Sequence, residues 1–316
     1  MVEHWGWLIA IYLFLGGLGA GAYLSSYAAE KGWLGSAASL RRTGYYVSGP
    51  VVAIGAGLLV LDLGQGLHKP WLLFGLLSNP RSVMSWGTGI ISVFIILGLV
   101  RGYLAWKEKK APEWLNLLGA VFALATGAYT GLLLAVVKAI PLWHTYLMPI
   151  LFVISALSTG LSITSLLAHW LERGPHQEGK VCQTHLGLVG LEIIVLFVMF
   201  LNVVLGFSGT VALESVRMML SGKLAGYFWI LLVGVGLVVP FFLFARKTLQ
   251  LRQEAVALGE VEPKIVSGSI PVSTRGLEIQ ERAILVCDGA VVLGGFALRA
   301  LIIFAALPVW NGIISL

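Results

Sequence analysis

The chain has 316 residues, of which 58% are hydrophobic and 11% charged; roughly 25% charged is usual for a soluble domain, so an ordinary soluble enzyme is excluded. The net charge of +6 comes with no nucleic-acid-binding motif, and it reads as the basic inner loops of a membrane protein, with no nucleic-acid partner expected. Apolar runs of about 18 residues or more are each long enough to cross ~30 Å of hydrocarbon, whereas a β-barrel shows alternating segments of about 10.

The expected fold class is therefore all-α. One integral membrane domain covers residues 1–316, with eight transmembrane helices packed as two four-helix bundles. The first span covers about 5–28. Only "MVEH" stands before it, without a basic n-region, so no cleavable signal is expected. Tyr12 falls about 10 Å into this span at 1.5 Å per residue. "LGGLGAGAYL" (15–24) is no phosphate loop, since no strand precedes it. Gly17 and Gly21, four apart, suit close helix packing.

The second span, about 44–66, ends in "LVLDLGQGLHKP", which places Asp62 about 27 Å along it. The third, 83–106, opens with Ser85 in its first turn, and the fourth, 114–138, carries Tyr129 and Thr130 in its outer half. The fifth is 143–171. The sixth, 185–206, holds Glu192 about two turns in. The stretch 207–225, with Glu214 and Arg217, reads as a short interfacial helix outside. The seventh span, 226–246, leads into a polar cytoplasmic connector, 247–282, containing Pro263 and Pro271. The eighth, 283–307, has Asp288 near its inner end and Arg299 beyond its midpoint, flanked by the apolar "ALRALIIFAAL".

Fifteen of the 21 Lys and Arg residues fall on the side of the loops that follow the first, third, fifth and seventh spans. The positive-inside rule makes that side cytoplasmic and puts both termini outside, in the periplasm. Tyr12, Asp62, Ser85, Tyr129, Thr130 and Arg299 then share one outer polar layer, with Arg299 the counter-ion of Asp62. Intramembrane ionisable residues are functional candidates by default. Glu192 and Asp288 form a thinner inner set suited to a proton relay or to a neutral structural role. No His lies mid-span to pair as haem ligands, and Cys182 and Cys287 lack partners at metal-ligand spacing. No haem, metal or iron–sulfur cluster of the chain's own is therefore expected.

Several stretches together resemble one family of membrane subunits, the NrfD/PsrC family. "WLIAIYLFLGGLGAGAYL" is similar to its first helix, and "LDLGQGLHKPW" with "NPRSVMSWGTGIIS" to its second-to-third connection. "GAYTGLLLAVVKAIPLWHTYLMPILFVISALSTG" resembles its fourth and fifth helices, and "GLEII" and "LRALIIF" later ones. The resemblance implies a subunit that binds menaquinone or ubiquinone without a redox cofactor of its own. It implies a four-cluster ferredoxin-like iron–sulfur partner, a catalytic subunit of molybdopterin type, and the bacterial inner membrane as the location. It carries the quinone pocket onto Tyr12, Asp62 and Tyr129, with Ser85 in the same layer. Where some members have Asn and His on the first helix, this chain has Ile9 and Tyr12. The implied role is quinol oxidation for a polysulfide- or sulfur-compound reductase, with Asp62 and Arg299 at the reacting centre. The loop 67–83, with Trp71, Arg81 and nearby Trp86, is the expected docking surface. The alternative is an ion or proton transporter without a quinone site. Against it, the spans lack the Pro/Gly-broken helix pair in matching halves that marks a midplane transport site.

Overall fold

Apolar run length decides the fold: eight helices are long and apolar enough to cross a membrane. The computed structural model describes residues 6–35, 37, 39–62, 82–172, 179–259 and 274–309, and among them there is no strand. The helices are α1 (Trp7–Glu30), α2 (Leu40–Asp62), α3 (Val83–Trp106), α4 (Glu113–Ala135), α5 (Leu147–Glu172), α6 (Gly179–Val204), a short α7 (Gly209–Leu220), α8 (Val239–Gly259) and α9 (Thr274–Phe304). A π-helical segment, Tyr227–Val238, runs directly into α8 and gives way to α-helix one residue before Pro240. The short helix expected within 207–225 is α7.

Boundaries differ from expectation in three places. α6 begins at Gly179 rather than near 185, because its ladder extends through the polar first turns. The connector expected from 247 is helical to Gly259 and again from Thr274; Pro263 and Pro271 lie outside the described residues. Residues 143–146 precede α5 in turns, where the buried Trp143 ring donates its Nε1 hydrogen to the Ile302 carbonyl at 2.9 Å. That bond ties the α4–α5 connection to the end of α9.

Helices α1, α5 and α9 are the most buried of the spans, while α2, α3, α6 and the π-segment leave broad apolar faces outward. α1 packs on α2, α4, α5 and α9, and α9 packs on α5 and on the π-segment and α8. Hydrocarbon offers apolar side chains no gain over lipid, so association rests on close backbone approach and buried polar contacts. At the α1–α5 crossing Gly21 lies against Ala156 and Gly160 backbone, with no room for a Cβ. Gly236 and Gly294 meet similarly between the π-segment and α9.

Exposed aromatic rings mark two levels. Trp7, Trp86, Tyr146, Tyr227 and Trp229 lie at one end of the bundle, and Trp33, Trp106, Trp114 and Trp170 at the other. Such belts form where amphipathic rings sit at headgroup level. The two ends are called here the Trp7 end and the Trp33 end. At the Trp33 end a part-buried clasp joins four helices. Tyr45 donates to Glu30 (2.8 Å), Arg101 donates to Glu30 (3.2 Å) and to Asn116 Oδ1 (2.6 Å), and Asn116 donates to Glu30. The Arg101 guanidinium also lies over the Tyr45 ring at 4.0 Å. Ion pairs Lys31–Glu113 and Arg42–Glu108 stand outside the clasp, and hydrogen bonding to Glu113 raises the Lys31 pKa. Arg101, near the end of the third span, is therefore a core residue.

Candidate functional site

Tyr12 lies five residues after Trp7 in α1, and Tyr129 six before Ala135 in α4; at 1.5 Å per residue both are roughly 8 to 9 Å from the Trp7 end. Both are buried and close enough for their phenols to interact electrostatically. The Tyr129 ring lies across the backbone of Gly87 in α3, where a Cβ would overlap the ring. Ser85, two residues earlier, is also buried. The Tyr12 hydroxyl has no hydrogen-bond partner among the described residues. An unmet buried hydroxyl costs about 1–3 kcal/mol, and packing holds this one as an unused donor. Thr130 differs: it donates to its own helix at Gly127 (2.7 Å), and its methyl group fills the gap beside Gly16.

Asp62 is the last residue of α2; its side chain lies outside the described residues, as do His68, Lys69, Trp71 and Arg81. Tyr12 meets α2 at Gly55, seven residues before Asp62. The Asp62 backbone is thus about 10 Å closer to the Trp7 end than Tyr12, and the expected single layer is spread over two levels.

Arg299 is fully buried and sits deeper, against the Cα of Gly17. Its Nη1 donates to Ser155 Oγ (3.1 Å) and to the Gly295 carbonyl (2.9 Å). The guanidinium lies 5.2 Å from the Phe152 ring centroid and 5.8 Å from that of Phe14, within cation–π range. Ser155 also hydrogen-bonds the Glu192 carboxyl, which lies in the electrostatic field of Arg299. A hydroxyl that accepts from the cation has one hydrogen to give to the acid, so Ser155 bridges the two. Two expectations change. Arg299 is engaged with Glu192 and Ser155, several turns below the Asp62 backbone. Glu192 is the fourteenth residue of a 26-residue helix, not two turns in, and belongs to the level of Arg299. Nε and Nη2 of Arg299 have no partner among the described residues.

Asp288 does lie toward the Trp33 end, paired with a residue that sequence reasoning passed over. Its Oδ1 is 3.2 Å from His185 Nε2, and both side chains are buried. Ser162 Oγ is 3.2 Å from the same nitrogen, and the imidazole stacks on Phe244 at 4.6 Å. Cys182 and Cys287 are buried nearby and form no disulfide. No group of three His, Cys, Asp or Glu arranged to hold a metal occurs among the described residues. The sequence signal for this level was the α5 run of Ser and Thr at three- and four-residue spacing.

Fold and site together define a multi-pass α-helical membrane protein with ionisable groups held at separate depths of its interior. The chain belongs to the NrfD family: the family model described as polysulphide reductase, NrfD, matches residues 2–261. It is 32% identical over 268 residues to the C subunit of the polysulfide reductase of Wolinella succinogenes, covering 76% of this chain and 82% of that subunit. It is 29% identical to protein NrfD of Escherichia coli (76% and 83% covered) and 25% identical to the NrfD homolog of Haemophilus influenzae (80% and 88%).

Proposed function

We propose that this chain is the quinol-reactive membrane subunit of a respiratory oxidoreductase complex, exchanging electrons between menaquinol or ubiquinol and an iron–sulfur partner. The similarity to a named subunit of polysulfide reductase supports membership of a respiratory reductase complex. The observation that carries the quinol site is the buried, unpartnered Tyr12 hydroxyl beside Tyr129. A quinone oxygen accepts hydrogen bonds, and a phenol donor in a dry site binds such an acceptor strongly. Tyr12 and Tyr129 would orient one ring oxygen, with Ser85 and the Gly87 cradle shaping the wall. The other oxygen would point toward the Trp7 end, where Asp62 takes the proton as electrons leave. Glu192, bridged to Arg299 by Ser155, and Asp288 would supply a proton path deeper in the bundle. Electrons pass to a four-cluster ferredoxin-like subunit docked at the Trp7 end and then to a catalytic subunit of molybdopterin type, in the bacterial inner membrane.

Two measurements bear on this reading. A periplasm-only reporter fused after Leu316 should be active, because the basic residues gather at the other end; activity of a cytoplasm-only reporter instead would invert the docking side. The purified complex should oxidise a quinol analogue and also accept electrons from an artificial donor to its iron–sulfur partner. Donor-driven turnover without quinol oxidation would leave ion transport as the better reading.

A further inference from the structure

At the Trp33 end the first four helices carry more positive charge than their acids neutralise. The end segments 30–42 and 101–116 hold seven Lys and Arg against three Glu. All three acids are taken. Glu113 pairs with Lys31, Glu108 with Arg42 at 2.7 Å, and Glu30 accepts from Tyr45, Arg101 and Asn116. Arg41, Lys107, Lys109 and Lys110 are exposed and pair with no acid among the described residues.

These four cations gather at one corner. The Arg42–Glu108 pair ties the start of α2 to the end of α3. Arg41 adjoins one partner in the chain, and Lys107 and Lys109 flank the other. The turn that presents them is fixed: Glu108 has left-handed backbone (φ 55°), and the Lys109 N–H donates to the Leu104 carbonyl at 2.9 Å. A cluster of like charges held in this way attracts an anion. Arg42 matters to that attraction, because it neutralises the one carboxylate that would repel the anion.

The level of the cluster decides which anion. Lys107 Nζ lies 5.4 Å from the Trp106 ring and 6.0 Å from the Tyr103 ring, and both rings are exposed. Amphipathic rings settle at headgroup level, so the ammonium is held there and not out in water. Below it Ile96, Leu99, Tyr103 and Trp106 recur three or four residues apart and are all exposed. They form one apolar strip along α3, about 15 Å long. An acyl chain can lie on that strip. A soluble acidic protein could reach only the cations, since hydrocarbon covers the strip.

We propose that this corner binds an anionic phospholipid. Its phosphodiester sits among Arg41, Lys107, Lys109 and Lys110, where ammonium and guanidinium groups donate to the phosphate oxygens. One acyl chain follows the α3 strip from Trp106 toward Ile96. The site lies at the opposite end of the bundle from Tyr12 and stands whether or not the chain reacts with quinol.

The test uses the full chain in phosphatidylcholine vesicles holding a trace of spin-labelled phosphatidylglycerol. Salt at about 0.15 M screens diffuse attraction beyond ~8 Å. Phosphatidylglycerol should be motionally restricted in excess of spin-labelled phosphatidylcholine. That preference should fall about tenfold or more in Lys109→Gln/Lys110→Gln, the scale of losing two cations at a membrane surface. Lys180→Gln/Arg246→Gln removes the same charge at the same end, from α6 and α8, and should leave the preference unchanged. Equal loss in both double variants would overturn the site, since a diffuse field would then account for it. Equal restriction of the two lipids by the parent chain would also overturn it and leave the cations to an acidic protein partner. Displacement of the lipid by inorganic phosphate at constant ionic strength would assign the cations to a free anion and overturn the lipid.

Discussion

Gly21→Val is expected to remove nearly all folded protein from the membrane. A Cβ at Gly21 would overlap the Ala156 carbonyl, and one at Gly160 would overlap the Gly21 backbone. Neither obstacle is the end of a flexible side chain, so α1 and α5 must separate. Overpacking costs about 1–3 kcal/mol where a core can yield, and here the clash is with backbone. These two helices are among the most buried, and Gly17, one turn away, makes the space for Arg299. Losses of this size change abundance several-fold or more. Gly89→Val is the control, because nothing lies within 4 Å of a Cβ there. Monodisperse protein extracted from membranes should fall about tenfold or more for Gly21→Val and hold steady for Gly89→Val. Equal yields would mean that the α1–α5 crossing is not as close as described.

The second large effect concerns Asp62. If it accepts the quinol proton, Asp62→Asn should insert and assemble normally, since Asn keeps the volume at a helix end and removes only a charge. Quinol-dependent turnover should drop by about 10²-fold or more, the scale of losing a general base. An artificial donor feeding the iron–sulfur partner should still support the complex. Near-normal quinol turnover would reduce Asp62 to a residue that ends α2 at the headgroups.

The spans were legible in the sequence because hydrocarbon thickness imposes a length, and α3 begins and ends where that length puts it. Tyr12 and Tyr129 were legible as neighbours because a fixed rise per residue converts position to depth. The same counting misplaced Glu192, because α6 starts six residues earlier than its apolar run: helical hydrogen bonding does not stop where hydrocarbon does. That early start also brings His185 inside a helix and within reach of Asp288. No local pattern could pair those two, since they lie on different helices 103 residues apart in the chain. By type and position Arg101 reads as a cation at the inner end of its span. Only tertiary contact with Glu30 and Asn116 makes it a core residue. Arg299 was legible as a buried charge, but its partner was not. Depth alone suggested Asp62, whereas Gly17 opens a space that seats the guanidinium lower, beside Ser155 and Glu192.

The central claim is that the buried phenol of Tyr12 waits for a quinol oxygen. Tyr12→Phe removes one hydroxyl that has no protein partner among the described residues. The fold should therefore keep its thermal stability or gain slightly, since an unmet polar atom is lost. The measurement is quinol oxidation by matched amounts of assembled complex, beside donor-driven turnover as the reference. A lost hydrogen bond of about 1.4 kcal/mol corresponds to roughly tenfold in rate, so quinol oxidation should fall by about that factor or more while the donor-driven rate is unchanged. Quinol oxidation at the parent rate in a stable Tyr12→Phe complex would contradict a quinol site at this end of α1.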